Sequence, residues 1–272
     1  MTAPAVPGPA LLFCPADRPD RYAKALAAAD VVVLDLEDGV GAAAKDAARQ
    51  ALVATQQDPA RVIVRVNPVG APEHAADVEA LRATPYRMVM LPKAERDDQP
   101  AALAEWQVVA LCETPLGVLE AARIAAAPNV IALMWGAEDL IAATGGRTSR
   151  HPDGRFRDVA RHARSAVLLA AAARGRPAID AIYANIGDLD GLAAEAEDAA
   201  ASGFALKGCI HPSQVPVVRD AFRPGDAQVA WARRVLAAAR SGGADRGAIS
   251  VDGQMIDGPL IRQAEAILAA LP

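Results

Sequence analysis

Short apolar runs alternate along the chain with longer alanine-rich stretches. Unbroken short apolar runs are typical of strands buried on both faces, and apolar residues spaced by three and four are typical of helices. The pattern predicts eight strands, at Ala10–Cys14, Val31–Leu36, Val62–Val66, Met88–Leu91, Val108–Cys112, Val130–Trp135, Ile179–Tyr183 and Ala205–Ile210. Helical spacing lies between them, as at Asp46–Ala54, Val118–Ala126 and Val159–Ala173.

Eight β–α alternations without a change of composition predict an α/β protein, a (β/α)8 TIM barrel over residues 1–223. A doubly wound open sheet would give the same alternation, but the strand count favours closure. Helical spacing follows at Ser213–Ala221 and Gln228–Ala238, and a Gly/Ser-rich break follows at Arg240–Gly247. We therefore predict a C-terminal helical extension, residues 224–272, that caps the barrel or contacts a neighbouring subunit.

The composition narrows the function classes. The 272 residues are 53% hydrophobic, which is enough for a large core, and the net charge of −5 comes without a basic run. Nucleic acid is therefore not an expected partner. Residues 1–9 lack a cationic start and a long apolar segment, so we expect no signal peptide and no membrane span. Three widely spaced cysteines without metal-ligand spacing indicate reduced thiols in a cytoplasmic protein.

Polar residues stand at the ends of the predicted strands. In a barrel such residues would ring one mouth, where the chemistry of these folds is found. They are Asp35, Glu37 and Asp38 after strand two, Arg65 and Asn67 at strand three, Lys93 after strand four, Glu113 after strand five, Glu138 and Asp139 after strand six, Asn185 and Asp188 after strand seven, and His211 after strand eight.

Two of these carboxylates, Glu113 and Asp139, suggest a metal site. Oxygen ligands with room for water suit Mg2+ or Mn2+, and no His–Cys cluster is present that would favour Zn2+. The alternative is that both acids only complement the dipoles of the helices that follow. The convergence of Arg65, Asp35 and Glu37 on the same mouth favours the metal site.

Other residues at the predicted mouth allow two interpretations each. The amides of Gly136 and Ala137 open a helix and would bind a carboxylate or phosphate, although Gly136 also suits a tight turn. A buried Arg65 requires an anionic partner, from the protein or from a substrate. Lys93 could form a Schiff base, but its charged surroundings favour a salt bridge. For His211 a structural hydrogen bond is favoured over catalysis.

Eight motifs carry a family resemblance: Leu11-Leu-Phe-Cys-Pro15, Leu34-Asp-Leu-Glu-Asp-Gly-Val40 followed by Lys45, Val64-Arg-Val-Asn-Pro68, Leu91-Pro-Lys93, Glu113-Thr-Pro-Leu-Gly-Val118, Gly136-Ala-Glu-Asp-Leu140, Ile210-His-Pro-Ser-Gln214 and Gly253-Gln-Met-Ile-Asp257. In this order they resemble the citrate lyase beta-subunit family, the thioester branch of the HpcH/HpaI aldolase group. The likeness covers essentially the whole chain and is greatest to the stand-alone members of actinobacterial type. Those are trimeric (β/α)8 proteins that bind Mg2+ and CoA thioesters.

The resemblance implies roles for the residues at the mouth. Glu113 and Asp139 would be the metal ligands, and Arg65 would meet the keto oxygen or carboxylate of a 2-oxo acid. Asp35 and Glu37 would hold metal-bound waters. The substrate carboxylate would be held by the amides of Gly136, Ala137, Glu138 and Asp139.

Further residues follow from the same resemblance. Arg18, Lys24 and Lys45 match basic positions near CoA phosphates. Asp257 matches an acid that the C-terminal tail places in a neighbouring subunit's site. Asp38 stands where the aldehyde-using branch has a catalytic histidine, which favours the thioester branch.

The function implied is a Mg2+-dependent carbon–carbon lyase. It would cleave a 3-hydroxy-acyl-CoA, such as citryl-, citramalyl- or malyl-CoA, to acetyl-CoA or a relative and a 2-oxo acid. The alternatives are a synthase or thioesterase on the same site, a non-catalytic CoA or oxo-acid binding protein, and a subunit of a citrate lyase complex acting on an acyl-carrier-protein thioester. The sequence does not identify the oxo acid.

Overall fold

The computed structural model describes residues 6–241 and 248–271. The predicted break at Arg240–Gly247 therefore falls mainly outside the described residues. The chain forms two compact units, which divide between Arg219 and Asp220. This division lies close to the predicted end of the barrel at residue 223.

Eight parallel strands close into a barrel in chain order. The first strand pairs with both the second and the eighth, so the open-sheet alternative is wrong and the predicted (β/α)8 fold is confirmed. The strands are β1 Ala10–Pro15, β2 Val31–Asp35, β3 Val62–Arg65, β4 Met88–Leu91, β5 Gln107–Cys112, β6 Val130–Trp135, β7 Ala178–Asp180 and β8 Leu206–Cys209.

Helices follow the strands. Each connection returns the chain to the opposite end of the barrel, as parallel pairing requires. The helices are α1 Tyr22–Ala28, α2 Lys45–Ala54, α3 His74–Arg82, α4 Asp98–Ala101, α5 Pro115–Ile124, α6 Ala137–Ala143, α7 Asp158–Ala172, α8 Leu189–Ser202 and α9 Gln214–Phe222. No helix among the described residues is long and apolar enough to cross a membrane.

The alternation of residues along each strand explains why the polar side chains at the strand ends face the inside of the barrel. Every second residue of a strand shares one face. Val31 and Val33 of β2 belong to the hydrophobic cluster, as does Ile63 of β3. Asp35 and Arg65 continue these two series by one step. Strand register therefore turns both side chains to the inner face at the carboxyl end of the barrel.

A network of buried charges lies on the other face of β7 and β8. Lys207 and Asp180 are fully buried, and the ammonium of Lys207 donates to Asp180 at 2.9 Å and to Glu195 at 2.9 Å. Arg164 and the indole of Trp135 also donate to Asp180, at 2.9 and 2.7 Å. Burial opposes the charge of Asp180, but Lys207 and Arg164 outweigh it and lower the pKa of this carboxyl.

The second unit contains two helices and a hairpin, α10 Asp226–Ser241, β9 Ile249–Val251, β10 Gln254–Ile256 and α11 Gly258–Ala269. The strands pair antiparallel across Asp252 and Gly253, which both have positive φ as a tight hairpin turn requires. Ile256 is buried in the core of this unit, whereas Met255 is 67% exposed. The sequence predicted the helical character of this extension, with helical spacing at Gln228–Ala238, but not the hairpin.

Candidate active site

A cavity of about 380 Å³ opens at the carboxyl end of the barrel. Most of the predicted site residues line it. They are Asp35, Arg65, Glu113, Gly136, Ala137, Glu138 and Asp139, and they are joined by Phe13, Asp38 and Met134 among others. Residues spread over about 100 positions of sequence therefore meet in one place because their strands end at one mouth.

Arg65 is held by a two-point contact with Asp35. Its Nε donates to Oδ1 at 2.7 Å and its Nη2 donates to Oδ2 at 2.6 Å. The same carboxylate accepts the backbone N–H groups of Glu37 and Gly39, at 2.9 and 2.8 Å. Asp35 therefore fixes both the guanidinium and the loop after β2, and its predicted role in holding a metal-bound water stays a prediction.

The environment of Arg65 keeps it charged. Burial opposes the positive charge, but the hydrogen bonds with Asp35 and the charges of Asp35 and Glu37 outweigh it and raise the pKa. The guanidinium also lies over the ring of Phe13, 5.1 Å from its centroid. The sequence did not indicate that Phe13 lies at the site, since it is one apolar residue in an apolar strand.

Glu37 and Lys93 form an ion pair beside Arg65. Burial raises the pKa of Glu37 although Arg65 and Lys93 favour its charge. Its Oε2 lies 2.9 Å from Nη1 of Arg65 without hydrogen-bond alignment, so it is a buried oxygen with spare accepting capacity. Lys93 is salt-bridged, as the sequence favoured. Burial alone would lower the pKa of the Lys93 ammonium, but the hydrogen bond with Glu37 and its charge outweigh burial and raise it. A raised pKa disfavours the neutral amine that a Schiff base requires.

Glu113 is the most strongly perturbed carboxyl of the cavity. It is 3% exposed, and burial together with the charges of Asp139 and Glu37 raises its pKa to about 8. Its Oε1 accepts the backbone N–H of Lys93 at 3.1 Å. Glu113 follows β5, and Asp139 lies in the first turn of α6 with its side chain 38% exposed.

The donor set fits a hydrated hard cation. Glu113 and Asp139 line one cavity, and the negative charge of Asp139 raises the pKa of Glu113, as two crowded carboxylates would do. No cluster of three or more His, Cys, Asp and Glu side chains with metal-binding geometry occurs in residues 6–241 and 248–271. Two carboxylates, with the charge of Glu37 close enough to raise the pKa of Glu113, therefore suit Mg2+, which retains waters, better than Zn2+.

The three basic residues predicted to contact CoA differ in burial and in their hydrogen-bond partners. Lys45 is buried, and its ammonium donates to the carbonyls of Leu36 and Glu37 and to Asn67 Oδ1, at 2.6, 2.7 and 2.9 Å. Two of these bonds anchor the loop after β2 and the third joins it to Asn67 after β3, so these contacts argue against the predicted phosphate contact of Lys45. Lys24 on α1 is exposed, and Arg18 pairs with Asp20 at 3.0 Å. For these two the CoA contact stays a prediction.

A hydrogen bond that the sequence did not indicate holds Glu138. The hydroxyl of the buried Ser149 donates to Glu138 Oε1 at 2.7 Å. Glu138 lines the cavity described above and also a second cavity of about 1090 Å³ between the loops after α6 and β7. His211 lies within 2.7 Å of the Ser213 hydroxyl, which agrees with the structural role favoured from the sequence.

Asp257 belongs to the second unit and precedes α11. It occupies the N-cap position of that helix, but its side chain makes no capping hydrogen bond to it. Its side chain is partly exposed.

Comparison with known proteins gives a consistent result. The model of the HpcH/HpaI aldolase/citrate lyase family matches residues 10–212. A citrate lyase subunit beta-like protein of Mycobacterium tuberculosis is 58% identical over 261 residues, which are 96% of this chain and 94% of that protein. The human mitochondrial citramalyl-CoA lyase is 31% identical over 292 residues, with 96% of this chain and 84% of the relative covered.

A solved structure extends the likeness to three dimensions. The crystal structure of the protein CitE of Mycobacterium tuberculosis in complex with magnesium, acetoacetate and coenzyme A superposes with a TM-score of 0.93 at 57% sequence identity. The match covers 97% of this chain and 98% of that chain.

Proposed function

The chain belongs to the HpcH/HpaI aldolase/citrate lyase family, and on that premise we propose that it is a Mg2+-dependent carbon–carbon lyase acting on a CoA thioester. The substrate would be a 3-hydroxy-acyl-CoA such as citryl-, citramalyl- or malyl-CoA. The products would be acetyl-CoA, or a near relative, and a 2-oxo acid. A relative named for citramalyl-CoA lyase activity and a similar structure with magnesium and coenzyme A support this assignment.

One observation supports the proposal above the others. Glu113, Asp139 and Arg65 line a single cavity, so an anionic substrate meets two carboxylate ligands and one fixed guanidinium. Glu113 and Asp139 would hold Mg2+ with water, and the metal when bound supplies Lewis-acid stabilisation of the developing alkoxide. Mn2+ would suit the same oxygens.

Arg65 binds the oxygen at which charge develops. Its Nε and Nη2 are engaged by Asp35, so the guanidinium is oriented before substrate arrives and loses little freedom on binding. The carboxylate end of the 2-oxo acid would be held by the amides of Gly136, Ala137, Glu138 and Asp139 at the start of α6. Lys24 and Arg18 would contact CoA phosphates.

Asp257 would move the proton at the thioester α-carbon. When the carbon–carbon bond breaks, the 3-hydroxyl loses its proton to water and becomes the keto group of the 2-oxo acid, while the electron pair of the broken bond passes into the thioester enolate. The α-carbon then takes up a proton from Asp257, so that one proton moves in total from oxygen to carbon. The carboxyl makes no capping bond within its own unit. We propose that it acts in the site of a neighbouring subunit. The working form would then be an oligomer, a homotrimer in this proposal, located in the cytoplasm.

A substrate panel tests the proposal. The full chain would be incubated with malyl-CoA, citramalyl-CoA and citryl-CoA, with Mg2+ or with EDTA, and scored for free CoA, acetyl-CoA and oxo acid. We expect acetyl-CoA and oxo acid in equal amounts from at least one thioester, only with metal. Free CoA in place of acetyl-CoA would identify a thioesterase. Absence of turnover with tight oxo-acid binding would identify a binding protein.

A further inference from the structure

The ammonium of Lys93 lies among carboxylates that would also attract a metal ion. The ammonium of Lys93 forms an ion pair with Glu37. The same nitrogen lies 3.5 Å from Oδ1 of Asp139 and 3.7 Å from Oδ2 of Asp38. Carboxylates from the loop after β2 and from the first turn of α6 therefore share one cationic group.

The backbone of Lys93 is engaged with the other predicted ligand. Lys93 has a φ of 49°, a left-handed conformation that is uncommon for a residue with a Cβ. In this conformation its N–H donates to Oε1 of Glu113 at 3.1 Å. Lys93 therefore contacts Glu113 through its main chain and Asp139 through its side chain, and no other residue described above contacts both.

The charges around the cavity explain why such a group is needed. Six carboxyl groups lie there, on Asp35, Glu37, Asp38, Glu113, Glu138 and Asp139, and the cationic side chains beside them are Arg65 and Lys93. Asp35 and Glu37 already occupy the guanidinium of Arg65. Lys93 is then the cation that lies next to Asp139, and crowded carboxylates are stabilised by a nearby positive charge.

We propose that Lys93 is the internal counter-ion of the metal site and competes with Mg2+ for Asp139. The inference rests on the proposed function, because it concerns the same two ligands. In the metal-free protein the ammonium neutralises Glu37 and Asp139. Metal binding at Asp139 then acts against a neighbouring positive charge, so Lys93 weakens the affinity of the site while its backbone N–H holds Glu113 in place. Lys93 is in this sense a positioning residue.

Calorimetric titration of Mg2+ into the chelator-treated full chain tests the competition. Lys93→Met removes the charge and keeps an unbranched side chain, so the cost of the left-handed backbone is about the same in both proteins. We expect Mg2+ to bind Lys93→Met about tenfold more tightly, an order of magnitude for removing one unit charge a few ångströms away. Lys93→Arg keeps the charge and should bind as the parent protein does.

A matched control removes a positive charge from the same segment without touching the site. Arg96 is exposed and pairs with Asp98 at 2.9 Å, so Arg96→Gln should leave the affinity for Mg2+ unchanged. If Lys93→Met does not fold, Lys93→Asn replaces it, because asparagine tolerates positive φ.

Thermal unfolding in EDTA gives a readout that needs no metal. Lys93→Met should unfold at a lower temperature than the parent protein in EDTA, because its carboxylates lose their counter-ion, and saturating Mg2+ should raise its Tm by a larger amount. An equal or weaker affinity for Mg2+ in Lys93→Met, or an unchanged Tm in EDTA, would overturn the inference alone. Failure of the parent protein to bind Mg2+ would overturn the metal site of the proposed function and the competition with it.

Discussion

Gly136 lies directly against Glu113. A Cβ built on Gly136 would come within 2.8 Å of both Cβ and Oε2 of Glu113, closer than real side chains approach. The φ of Gly136 is −126°, which any residue adopts, so the glycine is required by the close approach and not by its backbone conformation. Glycine at this position lets a buried carboxyl occupy the mouth of the barrel beside the start of α6.

The first prediction follows from this contact. Gly136→Ala should displace the Glu113 carboxylate and weaken Mg2+ binding about tenfold or more, which calorimetric titration would measure. Gly41→Ala is the control, since a Cβ there meets nothing within 4 Å and φ is −63°. Equal affinity for Mg2+ in the two variants would show that Glu113 is not a ligand.

The second prediction concerns the pH dependence of metal binding. Burial and the neighbouring carboxylates raise the pKa of Glu113 to about 8, so at neutral pH this group is largely protonated in the metal-free protein. A metal ligand must be ionised, so Mg2+ binding should release a proton and the affinity should increase as the pH rises from 7 to 9. Calorimetry in buffers of different ionisation enthalpy counts that proton. The dependence should disappear in Glu113→Gln, and a flat profile in the parent protein would contradict the assignment.

The third prediction concerns the bidentate contact of the Arg65 guanidinium with Asp35. Lysine cannot reproduce the two parallel bonds to Asp35, so Arg65→Lys should lower kcat/KM about 100-fold with the CoA thioester that the panel identifies. Oxo-acid binding should weaken while far-ultraviolet circular dichroism stays the same. Unchanged kinetics would remove Arg65 from the site.

The fourth prediction concerns the buried charges behind β7 and β8. Asp180→Asn leaves the fully buried Lys207 and the guanidinium of Arg164 without their shared anion, and breaking such a network costs about 3–5 kcal/mol of unfolding free energy. Denaturant titration measures the loss. Arg155→Gln removes an exposed pairing with Asp153 and should leave the denaturation midpoint in place.

The fifth prediction tests the shared site. If Asp257 acts in a neighbouring subunit, mixed oligomers of Asp257→Ala and Glu113→Ala chains contain some sites with both residues intact. Such mixtures should regain part of the activity that each variant lacks alone. Size-exclusion chromatography with two differently tagged chains confirms mixing. Lack of rescue in confirmed mixed oligomers would place Asp257 outside the site.

The sequence alone determined the alternation of strands and helices. Eight mainly apolar runs separated by helical spacing favoured the closed barrel over an open sheet, and β4 and β6 begin and end where that pattern placed them. The ends of the strands also predicted which residues meet, because parallel strands present their carboxyl ends at one mouth. For that reason Asp35, Arg65, Glu113 and Asp139 could be grouped before their contacts were known.

The tertiary structure decided what each of these residues touches. Lys45 shares a motif with Glu37, and only the folded structure shows that its ammonium donates to two carbonyls of the loop after β2 and to Asn67 after β3. Ser149 reaches Glu138, and Lys207 reaches Asp180, across separations for which no local spacing exists. The hydrophobic pattern specifies which face of a strand is buried, whereas the pairing of charged groups depends on three-dimensional distances and on burial, which raises the free energy of any charge left without a partner.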